Sequence, residues 1–145
     1  MPRASSSFAM FVLSAVFLTA TPSHAAPCLS YEPSVVKIAG TLVRRTFAGP
    51  PNYESVRHGD APETYWLVQL SEPACIIGDS TERDLNQAHA NIREIQLVVD
   101  KDVYQSKKRL VGQKVLATGT LFGAISGHHH TPVLLTLRSL SRSSQ

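Results

Sequence analysis

Alternation is what most constrains this chain. In SVVKIAGTLVRRTF, residues 34–47, Val36, Ile38, Gly40 and Leu42 fall on one parity. Successive side chains leave a pleated backbone on opposite sides, so this is the period of a strand with one buried face. Gly40 inside it marks a bulge or a sharp bend. The pattern returns in TYWLVQL (64–70), where Trp66, Val68 and Leu70 share a face, and SEPACIIG continues or bends away from it. It returns again in NIREIQLVVD (91–100), with Ile95, Leu97 and Val99 set against Glu94 and Gln96. QKVLATGTLF (113–122) and HTPVLLTLRSL (130–140) complete five expected strands. Pro132 lacks an amide donor, which places it at a strand start or an edge.

One segment breaks the period of two. Val103, Lys107, Leu110 and Val111 line one side of a short helix in VYQSKKRLV, with Asp102 as its expected cap and Gly112 as its left-handed terminator. Two polar connections, 48–63 and 79–90, carry the turn residues. VKIAGTL (36–42) and VLATGTL (115–121) share V-x-x-x-G-T-L, an echo too isolated for a solenoid. It suggests two strands with glycine at equivalent bends. The order is strand, strand, strand, helix, strand, strand. That predicts a mainly β fold: a five-stranded OB-like Greek-key barrel with one short helix between strands three and four. The alternative is an open antiparallel sheet with the helix on one face.

The ends and the charge bound the setting. Arg3 precedes an uncharged apolar run, Phe8–Ala20, and Ser23 and Ala25 fit the small-x-small cleavage pattern of a secretory signal peptide. The run is short of the ~20 residues that span a bilayer. The expected organisation is a signal peptide at 1–25 and one OB-like domain at 26–145, periplasmic or secreted, with no membrane association after cleavage. Without Arg3 the chain has 13 Lys and Arg against 11 Asp and Glu, a net of +2, which is too little to argue for nucleic acid. Lys107, Lys108 and Arg109 form the one basic run, and such a run usually marks a solvated face. Cys28 and Cys75 are the only cysteines; in an exported chain they read as a disulfide.

The segments CLSYEPSVVKIAGTL, AGPPNYESV, GDAPETYWLVQLSEPAC and GTLFGAISGHHHTPVLL resemble a group of small exported bacterial proteins, the domain-of-unknown-function family 4431. PPNYES and GHHHTPVLL are the specific strings. Ala48 stands where the resemblance leads one to expect proline, and Ile125 where a polar residue or histidine is expected, so a ligand could be missing there. The resemblance implies an exported OB-like domain and brings no activity, substrate or catalytic residue.

The site is therefore argued from chemistry. In an OB barrel the connection between strands one and two and that between strands four and five flank one binding face. Here the first carries Tyr53, Glu54, Ser55, Arg57, His58 and Asp60, and the second His128, His129 and His130. A ligand patch is expected from Tyr53, Glu54, Arg57, His58, Asp60 and His129, for an unknown protein or a small polar ligand. Along an extended backbone His128 and His130 project together and His129 opposite. That pair could serve zinc or copper with His58, Asp60 or Glu54 as a third ligand; histidines next to a turn are more often solvent-exposed or hydrogen-bonded to loop carbonyls. Ser55, His58 and Asp60 have the residue types of a triad but sit too close in sequence. No G-x-S-x-G elbow occurs. The reading favours a non-catalytic binding module, with a metal-dependent function through His128 and His130 as one alternative and an inhibitor of an extracytoplasmic enzyme as another.

Overall fold

The computed structural model describes residues 1 and 28–144; the expected signal peptide, apart from residue 1, lies outside the described residues. Among the described residues the fold is mainly β, with six strands in one sheet and one short α-helix. In chain order these are β1 (Leu29–Ser30), β2 (Val35–Ala48), β3 (Pro62–Ile77), β4 (His89–Val98), α1 (Lys101–Lys107), β5 (Lys114–Gly123) and β6 (Val133–Arg142). All five expected strands are present. The sixth is the two-residue β1, which pairs in parallel with Ile76 and Ile77 of β3. No periodicity could have shown so short an element. It lies beside the Cys28–Cys75 disulfide, whose Cα atoms are 4.7 Å apart. β3 also runs further than its alternation indicates, through the whole of SEPACII.

Each of the five long strands has two partners among the others. β2 pairs antiparallel with β3 and with β5, β3 with β4 and β5 with β6. β4 and β6 run parallel, with Gln96–Val98 alongside Leu134–Thr136. The inward parity of β2 is as expected: Val36, Ile38, Gly40 and Leu42 are all buried. Val36, Ile38 and Leu42 join Trp66, Val68, Ile95, Leu97, Val115, Ala117, Leu121, Val133 and Leu135 in one core.

The repeated V-x-x-x-G-T-L segments are paired with each other. Val36 lies opposite Gly119 and Gly40 opposite Val115. A Cβ on Gly40 would fall 2.1 Å from the Gln69 carbonyl oxygen, and one on Gly119 would fall 2.1 Å from that of Thr136. Glycine is needed at both places because a third strand's backbone occupies the side-chain position.

Two expectations are corrected. Asp100, not Asp102, caps the helix: its carboxylate accepts from the Val103 amide at 2.7 Å. An N-cap must precede the first helical residue, and the helix starts at Lys101. Its last part, Lys108–Leu110, tightens to a 3-10 turn before Gly112 at φ 84°. The second correction is Gln96. Its parity indicated an outward side chain, yet it is 2% exposed. Leu67, Gln96 and Leu134 form one cross-strand row on the face away from the core, and all three are buried. The segment between β5 and β6 lies over Gln96, so β4 is covered on both faces there.

Candidate functional site

The two connections expected to carry a site touch each other. Tyr53 Oη and His128 Nε2 are 3.3 Å apart, with their rings edge to face at 5.4 Å between centroids. Gly127 permits this approach, since a Cβ there would lie 2.8 Å from the tyrosine ring. Tyr53 itself sits at φ 59°, a conformation costly for a bulky residue and held only when its surroundings fix it.

What fixes the first connection is Asp60. Its Oδ2 accepts from the amides of Glu54 and Ser55, each at 2.8 Å, and its Oδ1 from the Asn52 amide at 2.9 Å and side chain at 3.2 Å. The backbone amides of Ser55, Asn52 and Glu54 hold the Asp60 carboxyl below the usual range. Asp60 is 4% exposed and both its oxygens are engaged, so it is the keystone of its own loop and not a free ligand. Glu54, Arg57 and His58 are exposed, the latter two on a 3-10 turn, Val56–His58. None of the three makes a hydrogen bond or ion pair with the histidine segment among the described residues.

The histidine segment is positioned from below by Gln96. The amide of its side chain donates to the His128 carbonyl at 2.9 Å, and its Oε1 accepts from the His130 backbone amide at 2.8 Å. Thr131 adds a third tie, its Oγ1 accepting from the Gln96 amide at 3.0 Å. With the backbone pinned at both ends, the three rings diverge as the sequence indicated. His129 turns away: its Nδ1 accepts from the Ile125 amide at 2.9 Å, and its ring meets Phe122 edge-on. His128 and His130 turn together toward Glu63, at the start of β3.

Glu63 is the residue that the sequence did not single out. His128 Nδ1 stands 2.9 Å from both its carboxylate oxygens. A carboxylate only accepts, so Nδ1 donates, which leaves Nε2 free to accept from Tyr53 in the neutral ring. The Tyr65 hydroxyl donates to Glu63 Oε2 at 3.0 Å. His130 Nε2 is 3.9 Å from the same oxygen; it is buried and has no hydrogen-bond partner among the described residues. The His130 ring is stacked flat on Phe47, 4.1 Å between centroids and 3° between planes, with Tyr65 on its flank.

These contacts shape the electrostatics. The His128 hydrogen bond holds Glu63 below the usual carboxylate range. Burial pushes the His130 and His129 imidazoles down. Burial, assisted by the Glu63 hydrogen bond, pushes the Tyr65 phenol up to about 12. Among the described residues no three His, Cys, Asp or Glu side chains stand as a ready metal-holding group. His58 and Asp60 in particular do not complete one with His128 and His130.

Beside the cluster lies a groove of 480 Å³ whose walls include Tyr65, Trp66, Gln96, Val98, Tyr104 and His128. Trp66 stacks on Tyr104 at 4.5 Å between centroids. The β3–β4 ladder ends at Leu67 and Gln96, so Pro62–Trp66 of β3 pairs with β2 alone and the groove opens where the strands part. The sequence pattern does not point to the tyrosine of α1 as part of a site, because the helical face runs through Val103, Lys107, Leu110 and Val111. A large aromatic at the helix N-terminus, one residue past that face, was the available signal.

No helix among the described residues is long and apolar enough to cross a membrane. The disulfide fits an oxidising compartment. No curated protein and no solved structure matches the chain. From β4 to β6, residues 94–141, which include Gln96, α1 and the three histidines, match the family model described as Domain of unknown function (DUF4431), so this segment is similar to that family.

Proposed function

We propose that the chain is an exported, non-catalytic binding module built on a five-stranded OB-like Greek-key barrel. The barrel reading is supported by the closed circuit of partners β3–β2–β5–β6–β4–β3, by the parallel β4–β6 pair and by a single helix between β4 and β5. In that fold the second and third barrel strands and the two flanking connections receive ligands. Here those strands are β3 and β4.

The observation that carries the reading is the groove. It lies between β3, β4 and α1, and His128 joins it to the contact between the two connections. Its lining combines aromatic and aliphatic walls with a few polar groups, which is how a site for a small polar ligand or a peptide segment is built. The ligand patch centres on Tyr53, Tyr65, Tyr104 and His128, with the buried Trp66 stacked on Tyr104, rather than on Glu54, Arg57, His58 and Asp60.

Trp66 is the sole tryptophan; it is buried and stacks on Tyr104 of the groove wall, so its emission reports on the groove through that contact. Tag-free chain would be titrated with cell-wall glycan and peptide fragments while this emission is followed. Binding should shift the Trp66 signal, and Val98→Arg, an exposed change on the groove wall, should abolish it. A ligand bound with unchanged affinity by both Val98→Arg and Tyr53→Ala would refute this location. Mass measurement of the chain recovered outside the cytoplasm tests export; the expected species begins at Ala26.

A further inference from the structure

We propose that Glu63, His128 and His130 form a binding site for one divalent transition-metal ion, zinc or copper(II). The proposal does not rest on the groove being a ligand site. Two imidazoles and one carboxylate make a common zinc donor set that leaves a coordination position open, and copper(II) accepts the same ligands.

The geometry is gathered, though not closed. Metal–donor bonds of about 2.0–2.1 Å at tetrahedral angles put neighbouring donors about 3.3 Å apart. The two nitrogen–oxygen separations here are 2.9 Å for His128 and 3.9 Å for His130, one below and one above that value. Shifts of about half an ångström in each would meet it; as the side chains now stand, no ready metal-holding group is present among the described residues.

Three features argue for an ion over a simple ion pair. His130 Nε2 is buried without a hydrogen-bond partner among the described residues and is held short of the carboxylate by its stack on Phe47. A buried polar atom left unsatisfied costs free energy, and a cation between the two groups would satisfy both. The backbone of the His-x-His unit is fixed at both ends by Gln96, so little ordering is needed on binding. Glu63 is oriented by Tyr65 and His128 by Tyr53, the kind of outer contacts that steer metal ligands. Metallation at His128 Nδ1 moves its proton to Nε2, and the Tyr53 hydroxyl turns to accept it.

The tag-free chain would be titrated with Zn²⁺ and with Cu²⁺ by calorimetry, and the ring nitrogens followed by NMR. One ion per chain is expected, with metal-induced shifts at His128 Nδ1 and His130 Nε2. Glu63→Gln and His130→Ala should each weaken binding by at least about 100-fold, and Tyr65→Phe by about 10-fold, as outer-contact losses do. His58→Ala and His129→Ala should bind as the parent does. Glu63→Gln keeps the shape and the Tyr65 acceptor, so its fold is not in question, and circular dichroism checks the histidine variant. Absence of stoichiometric binding, or binding unchanged by Glu63→Gln, would overturn the proposal. So would shifts centred on His58 or His129. Each of these results leaves the Trp66 titration of the groove to be judged separately.

Discussion

Gln96→Met tests whether one buried amide positions the whole histidine segment. The substitution is close to isosteric, so packing is largely conserved, and volume-conserving swaps usually cost below about 1.5 kcal/mol. It removes both side-chain hydrogen bonds, at 2.9 and 2.8 Å. The His128 carbonyl belongs to an exposed residue and water can replace the amide there; the His130 amide belongs to a partly buried residue. With a net of about 1 kcal/mol for the first bond and about 2 for the second, which is left short of a partner, the loss is about 3 kcal/mol. Burying a thioether in place of an amide offsets about 1 of these, leaving about 2 kcal/mol. At ~2.1 cal/mol/K per residue, a domain of ~120 residues has an unfolding entropy of about 0.25 kcal/mol/K, so Tm should fall by about 8 °C. The assay is thermal and urea unfolding, with hydrogen exchange at the His130 amide. Gln69→Met, at an exposed site on β3, is the control and should stay within about 0.5 kcal/mol. A Tm within about 2 °C of the parent, with His130 still protected, would refute the reasoning, because the worked loss is about fourfold larger.

Opening the Cys28–Cys75 bridge by the double serine variant releases a loop with a sequence separation of 47; in the chain-entropy model this costs about 4 kcal/mol, read as a lowered unfolding midpoint. Asp60 has a folded pKa depressed by backbone amides, so its contribution is complete above the ordinary carboxylate range and is lost as pH falls through the folded value. Exchange protection of the Asn52, Glu54 and Ser55 amides should follow that course. In Asp60→Asn it should already be reduced at neutral pH and nearly flat with acidification; unchanged protection would contradict the keystone role. Gly40→Ala and Gly119→Ala should each cost at least about 3 kcal/mol, at or beyond the usual upper end for overpacking, and a stable, soluble variant at either position would show that the strands can part cheaply.

Strand positions were legible because the core of this fold is written at a period of two: Val36, Ile38 and Leu42, or Ile95 and Leu97, could be read directly. The disulfide was legible from the scarcity of cysteine. The meeting of Tyr53 with His128 followed from the order of elements once an OB-like arrangement was adopted. Gln96 was not legible, because a polar residue on the outward parity is normally solvated and only the covering loop reverses that. Glu63 was missed for a related reason. It stands at the junction of a loop and a strand, and its importance arises from residues 65 and 67 positions further along the chain. Asp60 was read as a ligand because local sequence shows an acidic side chain but not the amides that curl around it.

The mutual pairing of the two V-x-x-x-G-T-L segments has a genetic consequence. At residues 40 and 119 the obstacle to a larger side chain is a peptide oxygen of a neighbouring strand, which every amino acid carries. Trimming the valine that faces either glycine would therefore open room in the wrong place. A selection for suppressors of a lesion at one of these positions should return true revertants, because no single compensating substitution can remove a main-chain atom.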